Sequence, residues 1–440
     1  MMGAGLLALM VGELAEASGA MKIGYICSDI DIPLYGDEGC SIHVRDFTDA
    51  LVDIGHDVFL VCASLGDQND LKTKARVHEV QPQGMNRAGW NLVEEEPLIQ
   101  DHHLERDLRS VIYNSWLAIE GRSIIEREQP DFLCERYSLF GWGGIDLARR
   151  YGIPLILEVN DPLCREQAGY EKFTLTTTAE RMEKEIICGA DAIVAVSEWV
   201  GAWAISLGAS ERNVHEIPNG VKGNLFAENV SGQQVRERYS LNGKRVIGFL
   251  GSFQPWHDVR GLLEAFSRLY RKDTELRLFL VGNGDGRSSL DETIKRFGLS
   301  EAVKFTGNIS HDQVPDYLAA IDVAVAPYDW KEDFYGSPLK LLEYMAAGKP
   351  TVAAAIGQIG KVIDHGKTGW LYPSGNLEKL AEALTTVLYS PQLSSALGRA
   401  ARKQVLTNYT WHAIAERVVK IGEGLLCAAV QTSATGAGVH

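Results

Sequence analysis

Short apolar runs of strand length alternate with helix-length segments along most of this chain, and the series runs twice. Alternating β and α elements bury their apolar faces as a parallel sheet with helices on both sides, a doubly wound α/β arrangement. In the first half the strand candidates are Lys22–Cys27, Asp57–Cys62, Asp131–Glu135, Pro154–Val159 and Ala192–Val196, with helices at Ser41–Ile54 and Gly144–Tyr151. The region 67–128 is less regular. Residues 222–243 are polar and rich in Asn, Ser, Gly and Gln, which reads as a linker holding a short helix. A second series follows, with strands at Val246–Gly251, Arg277–Val281, Val303–Thr306, Val323–Ala326 and Thr351–Ala355. Helices fit between them at 259–271, 287–297, 311–320, 338–347 and 376–389. The chain therefore reads as two Rossmann-like halves hinged near residue 222. Ligands of open α/β sheets sit beyond the carboxyl ends of the strands. Two hinged domains with a cleft suit an enzyme that excludes water.

Composition narrows the class. A length of 440 residues allows two ordinary cores. With 45% hydrophobic and 23% charged residues, the chain is globular and not disordered. The formal net charge of −15 gives no overall attraction to nucleic acid or anionic lipid, so no nucleic-acid partner is expected. Seven cysteines, widely spaced and without a CxxC pair, read as thiols in a reducing compartment, so a cytoplasmic location is expected. They announce neither a disulfide framework nor a metal site. Residues 1–20 hold a short apolar run, Leu6–Val11, with no Lys or Arg before it. That fits neither a secretory signal nor a membrane span. A mobile extension is expected there, with the folded domain opening at Met21.

Four segments carry candidate chemistry. The first, Tyr35 to Arg45, joins the first strand to the first helix: Gly36 and Gly39 permit tight turns and Ser41 can cap the helix. A helix start offers free N–H groups to a phosphate, although an ordinary βα loop looks the same. The second, Val246 to His257, opens the second half in the same way and holds His257, which can donate to a phosphate or cap structure. The third, Leu280-Val281-Gly282-Asn283-Gly284-Asp285-Gly286, has GxGxG spacing, which departs from the dinucleotide GxGxxG. The fourth, Phe334 to Pro350, is the most informative. Gly336 and Ser337 precede Pro338, well placed at the first helical position, and Lys340 falls in the first turn with Glu343 close to the same face. Lys340 there opposes the helix dipole unless it faces a negative ligand. A surface Lys–Glu pair would show the same spacing.

Taken together, the segments resemble the retaining family 4 glycosyltransferases of the GT-B fold, over roughly residues 21 to 425. The resemblance rests on Ile217-Pro218-Asn219-Gly220-Val221, the Gly251 loop, Leu280 to Gly284, Leu342 to Val352, and the turn Gly366 to Leu371, in matching order. It implies two Rossmann-like doubly wound parallel-sheet domains facing a cleft. An acceptor-side domain would span 21–222 and a nucleotide-sugar domain 223–408. A helix at 409–427 would cross back to the first domain, and 428–440 would be a disordered tail. It also implies donor-site roles. Gly39 and Ser41 would approach the donor phosphates. Gly282, Ser252 and His257 would line the donor site, and Asn308 with Ile309 would hold the base. Gly336, Ser337, Pro338, Leu339 and Lys340 would face the diphosphate and donor sugar. Glu343 would bind the ribose.

The departures from the family pattern fall in the same segments. Ser252 and His257 stand where the family often has an arginine and a lysine, and Tyr335 stands where it has an acid. Asn160 takes the place of a common histidine. Some subgroups of the family carry the same Glu-Val-Asn and Ser-Pro-Leu-Lys strings, so Lys340 would replace the missing diphosphate cation.

The activity implied is transfer of a sugar from a UDP-, GDP- or ADP-linked donor to an unidentified acceptor, with retention. The nucleotide sugar is a co-substrate, and no cofactor or bound metal is expected. Negative charge on the leaving diphosphate would meet helix N-termini, Lys340 and His257. Asn160 and Asp161, at a strand end, would orient acceptor or sugar, with Arg136 and Glu166 as lesser candidates. No paired carboxylates announce a double-displacement glycosidase. Relatives often glycosylate lipids, so peripheral membrane contact stays open, without support from the acidic balance. Two alternatives remain: a GT-B enzyme of another bond type (N- or S-glycosylation, epimerisation), and a pseudo-glycosyltransferase acting as a partner subunit.

Overall fold

The computed structural model describes residues 19–66, 72–95, 102–165, 175–284, 286–328 and 334–436. The expected extension at 1–20 lies almost wholly outside them, as does Glu166. The chain divides into two compact units. The first takes residues up to Val194, Ala204–His215 and the chain from Ala415 on, and the second takes Ala195–Trp203 and Glu216–Ile414.

The first sheet is built from β1 (Lys22–Cys27), β2 (Asp57–Cys62), β3 (Arg76–Glu79), β4 (Phe132–Arg136), β5 (Leu155–Val159), β6 (Ala192–Ala195) and β7 (Val214–Glu216). Its order is β3-β2-β1-β4-β5-β6-β7. The pairings β1–β2, β1–β4, β2–β3 and β4–β5 are parallel. The central strands are buried along nearly their whole length, as a sheet covered on both faces requires. The helix Gly39–Asp53 follows β1, and Gly143–Tyr151 follows β4. In the irregular region 67–128 the structure places the short β3 and two helices, Gly84–Glu95 and the 27-residue His102–Glu128. The long helix has a weak apolar stripe because its buried positions include Asp107, Asn114 and Glu128, which hides its period in the sequence.

The second sheet holds β8 (Arg245–Leu250), β9 (Leu276–Val281), β10 (Val303–Phe305), β11 (Val323–Ala326), β12 (Thr351–Ala354) and β13 (Trp370–Tyr372). Its order is β10-β9-β8-β11-β12-β13, and every pairing is parallel. Both sheets reverse direction of winding beside their first strand, between β1 and β4 and between β8 and β11. That is the topological switch point where such sheets take ligands.

Three expectations change. The polar stretch 222–243 holds the expected short helix but is not a linker lying outside the cores. Phe226, Val235 and Leu241 enter the second unit's core, around a short helix at Gln233–Arg238. The expected disordered tail from 428 is helical as far as Gly436, at the end of the helix Trp411–Gly436; its Ala- and Gln-containing run has no proline to stop it. Pro338 sits one residue before the helix Leu339–Ala346, at its N-cap, with ψ of 117°.

Candidate functional site

In the second unit the chemistry gathers at the switch point. β8 ends at Leu250 and the chain turns through Gly251 at φ +132°. A Cβ on Gly282 would lie 2.2 Å from the Gly251 carbonyl oxygen, so glycine here lets the loops after β8 and β9 close on each other. Gly251 N–H donates to Val281 O at 2.9 Å, and Phe253 N–H to Asn283 O at 3.1 Å. Gly282 is thus accounted for by loop packing.

Lys340 projects toward this turn from the first helical turn of Leu339–Ala346. Its Nζ donates to His257 Nε2 at 2.9 Å and lies 4.6 Å from the centre of the Phe249 ring and 5.7 Å from that of Tyr328. His257 Nδ1–H donates in turn to the Ser252 carbonyl oxygen at 2.6 Å. An ammonium only donates and a carbonyl only accepts, so this tautomer follows from the partners. Both ring nitrogens are used, which leaves His257 no N–H to donate to a phosphate. Burial, with Lys340 beside it, pushes the His257 pKa down to about 3. Burial also pushes Lys340 down to about 7, against a smaller upward pull from Glu343.

The loop before Lys340 is held from two places in the same unit. Ser197 Oγ–H donates to Tyr335 O at 2.7 Å, and Trp199 packs on the Tyr335 ring at 5.9 Å. Asn219 donates its backbone N–H to Ser337 Oγ at 3.1 Å and its side-chain Nδ2 to Ser337 O at 2.8 Å. Gly336 and Pro338 lie in this anchored stretch, and the N–H groups of Leu339 and Lys340 open the helix. One turn on, Glu343 Oε1 accepts from His311 Nε2 at 2.7 Å. His311 follows Asn308 and Ile309, so the loop after β10 meets the helix that carries Glu343. Ile309 packs against the core and Asn308 is exposed.

The first unit has its own polar centre at the carboxyl ends of β1, β4 and β5. Glu158, on β5, is buried and accepts four donors. His43 Nε2 and Asn160 Nδ2 each lie 2.6 Å from Oε1, Arg136 Nη1 lies 3.4 Å from Oε1, and Tyr25 OH lies 2.9 Å from Oε2. Burial alone would raise this carboxyl; the charge and hydrogen bond of His43, then Arg136 and Asn160, bring it down to about 2. Since a carboxylate only accepts, Asn160 must turn its NH2 inward and its carbonyl oxygen away. Asp161, next in the chain, is pushed up by burial and pulled back by Arg136 and His43. Gly39 begins the helix that carries His43, but the N-cap is Glu38 and Ser41 lies inside the helix. Ser41 therefore caps nothing; its buried Oγ has no hydrogen-bond partner among the described residues. Glu135 is also buried at a strand end, near Ser28 Oγ at 3.3 Å, and burial raises its pKa to about 8.

Asn160 with Asp161, and His257 with Ser252, Lys340 and Glu343, are thus gathered as two centres, one in each unit. His43, Glu158, Tyr328 and His311 are functional candidates that pattern reading passed over. His43 and Glu158 both sit inside segments singled out for glycines or for Asn160, so proximity in sequence to those segments was the available signal.

The model of "Glycosyltransferase Family 4" matches residues 38–223, and that of "Glycosyl transferases group 1" matches residues 233–404. A GDP-mannose-dependent alpha-(1-6)-phosphatidylinositol monomannoside mannosyltransferase of Mycolicibacterium smegmatis is 27% identical over 282 residues, 63% of this chain and 72% of that protein. Mannosylfructose-phosphate synthase of Agrobacterium fabrum is 26% identical over 49% of each chain. Among solved structures, Anabaena HepE in complex with UDP and glucose superposes with a TM-score of 0.70 at 20% identity, over 91% of this chain and 98% of that one. Sucrose-phosphate synthase from Thermosynechococcus elongatus gives 0.71 at 21% identity, over 93% and 100%. With both halves matched in order and the fold shared, the chain belongs to the group 1, family 4 glycosyltransferases, nucleotide-sugar-dependent enzymes of the GT-B fold.

Proposed function

We propose that the second unit binds the donor nucleotide sugar around Lys340, and that transfer to the acceptor proceeds with retention. The observation that carries this reading is the position of Lys340: it stands at the β8/β11 switch point, on the family-matched stretch, one turn before Glu343. In this reading Lys340 Nζ and the N–H groups that open its helix meet the diphosphate. Glu343 takes the ribose hydroxyls, and Asn308 with Ile309 holds the base. Charge growing on the leaving diphosphate is then met by groups already fixed in place, which lowers the barrier. The leaving phosphate itself takes the acceptor proton. Asn160 and Asp161 in the first unit orient acceptor or sugar through the outward amide oxygen and the carboxyl.

The relatives support a diphosphate donor without choosing the base, since one is named for GDP-mannose and one structure holds UDP. A titration of thermal stability with UDP, GDP and ADP decides it. A ligand at a hundredfold excess over its Kd stabilises by about 2.7 kcal/mol, which raises Tm by about 5–10 °C for domains of this size. A shift with one diphosphate names the base. No shift with any removes Lys340 as the diphosphate cation and favours the partner-subunit reading that Tyr335 invites.

A further inference from the structure

The cation at this site is stored in an unusual setting. Among the described residues no carboxylate bonds Lys340: its Nζ contacts a neutral imidazole and lies over two aromatic rings. The titratable groups facing it are His257 from the loop after β8, Tyr328 after β11, and Glu343 on its own helix. Glu343 is the charged one among the described residues, and its Oε1 is held by His311. Asp258, beside His257, turns its carboxylate to Gly261 N–H at 3.0 Å, capping the next helix. Loss of hydration beside a neutral imidazole favours loss of the ammonium's proton, while the faces of Phe249 and Tyr328 pull the other way.

We propose that binding of the donor diphosphate is coupled to uptake of one proton from solvent by Lys340 Nζ, and that His257 is the positioning residue that makes this so. The inference rests on the donor-site reading above. In the free protein His257 Nε2 holds the amine toward the Gly251 turn, between the Phe249 and Tyr328 rings. When a diphosphate arrives, its negative oxygens stabilise the ammonium, and the amine takes a proton from the buffer. His257 is not a second cation: with Nδ1–H donated to Ser252 O it supplies only a lone pair. Its pKa near 3 and that of Lys340 near 7 agree with this division.

The sign follows from linkage. Below pH 6 Lys340 is charged with or without ligand, so binding moves no proton. Above pH 7 the free amine is mostly neutral, so the bound state holds the extra proton and affinity falls as pH rises. At pH 8 about 0.9 proton is taken up per site. Affinity weakens about fivefold from pH 7 to 8 and less than twofold from pH 6 to 7.

The test is titration calorimetry of the full chain with UDP-glucose and with GDP-mannose, whose diphosphates do not titrate in this range. Each is run at pH 8 in phosphate and in Tris, which differ in ionisation heat. The expected result is a buffer-dependent heat equal to uptake of close to one proton. Lys340→Arg, which stays charged, should bind with no proton and no pH slope. His257→Ala, which lets water reach the amine, should bind with a much smaller uptake. Binding without proton uptake in the native protein overturns the inference and leaves the donor site standing; that measurement needs no variant to fold. Uptake that persists in Lys340→Arg overturns it too, by assigning the proton elsewhere. No binding of either nucleotide sugar removes the donor-site reading, and this inference with it.

Discussion

Single residues here are decided by their partners more than by their type. Glu158 is an ordinary strand glutamate in sequence, yet His43, Asn160, Arg136 and Tyr25 converge on it in the buried interior. Its folded pKa of about 2 lies below the ordinary carboxylate value, so it adds stability that is full above pH 4.5. That contribution is lost as pH falls from 4.5 toward 2, and amounts to about 3 kcal/mol. Glu158→Gln should therefore destabilise the protein by ~2–4 kcal/mol at pH 7, since an uncharged amide takes from Arg136 the carboxylate that pulls on it most. It should also flatten the acid limb of stability. Urea unfolding at a series of pH values checks both; a variant with an unchanged acid limb would show that Glu158 is not the group titrating there. The sequence made Asn160 legible as a strand-end candidate. It did not show His43, because a helix position reveals its partner only once β5 is laid near it.

At the scale of elements, the helix Leu339–Ala346 and the loop before it form the proposed donor-binding part of the second unit. Phe334 anchors the start of the described loop on Tyr328, and Ser197 and Asn219 hold Tyr335 and Ser337. Asn219 lies in the Ile-Pro-Asn-Gly-Val string, which reads as a junction in sequence and acts as a brace in the fold. Asn219→Ala removes the Nδ2 bond to Ser337 O, worth about 1 kcal/mol of stability. The larger expected effect is functional: diphosphate affinity should fall about tenfold or more, because the helix start and Lys340 are no longer held in register. Kd by calorimetry, beside Tm, separates the two; equal affinity in variant and native protein would show that the brace does not serve the site. The same scale explains the missed strands. β3, β7 and β13 are short strands at sheet edges and are mostly half-exposed, and β3 and β7 mix charged residues and His with a single Val, so no buried apolar run marks them.

For the whole molecule, two parallel sheets of the same winding order carry the two centres, and each unit brings its own core. The helix Trp411–Gly436 passes to the first unit from Ala415 on, where Val418 and Val419 are buried and Gly422 lies against Phe132. A Cβ on Gly422 would lie 2.6 Å from the Phe132 ring, so the helix approaches β4 closely. Removing residues 411–440 should uncover this apolar surface and lower the melting of the first unit by well over 5 °C, with loss of solubility. Calorimetry of the truncated chain checks this, and an unaltered first-unit transition would show that the helix is dispensable. Among the described residues no helix is long and apolar enough to cross a membrane.

The sequence by itself determined the architecture, because strand and helix periods, glycine turns and their order are local properties that survive without coordinates. It also determined the stretch from Gly336 to Glu343 as the place to look, since a helix start with Lys340 and Glu343 is written in consecutive residues. Only the tertiary structure decided what those residues do. Lys340 meets His257 across 83 positions, Glu343 meets His311 across 32, and His43 meets Glu158 from a different strand-helix unit. Protonation, tautomer and exposure depend on such distant neighbours and on burial, which no local pattern encodes. That is why His257 reads as a phosphate donor in the sequence and stands in the fold as a neutral acceptor for Lys340.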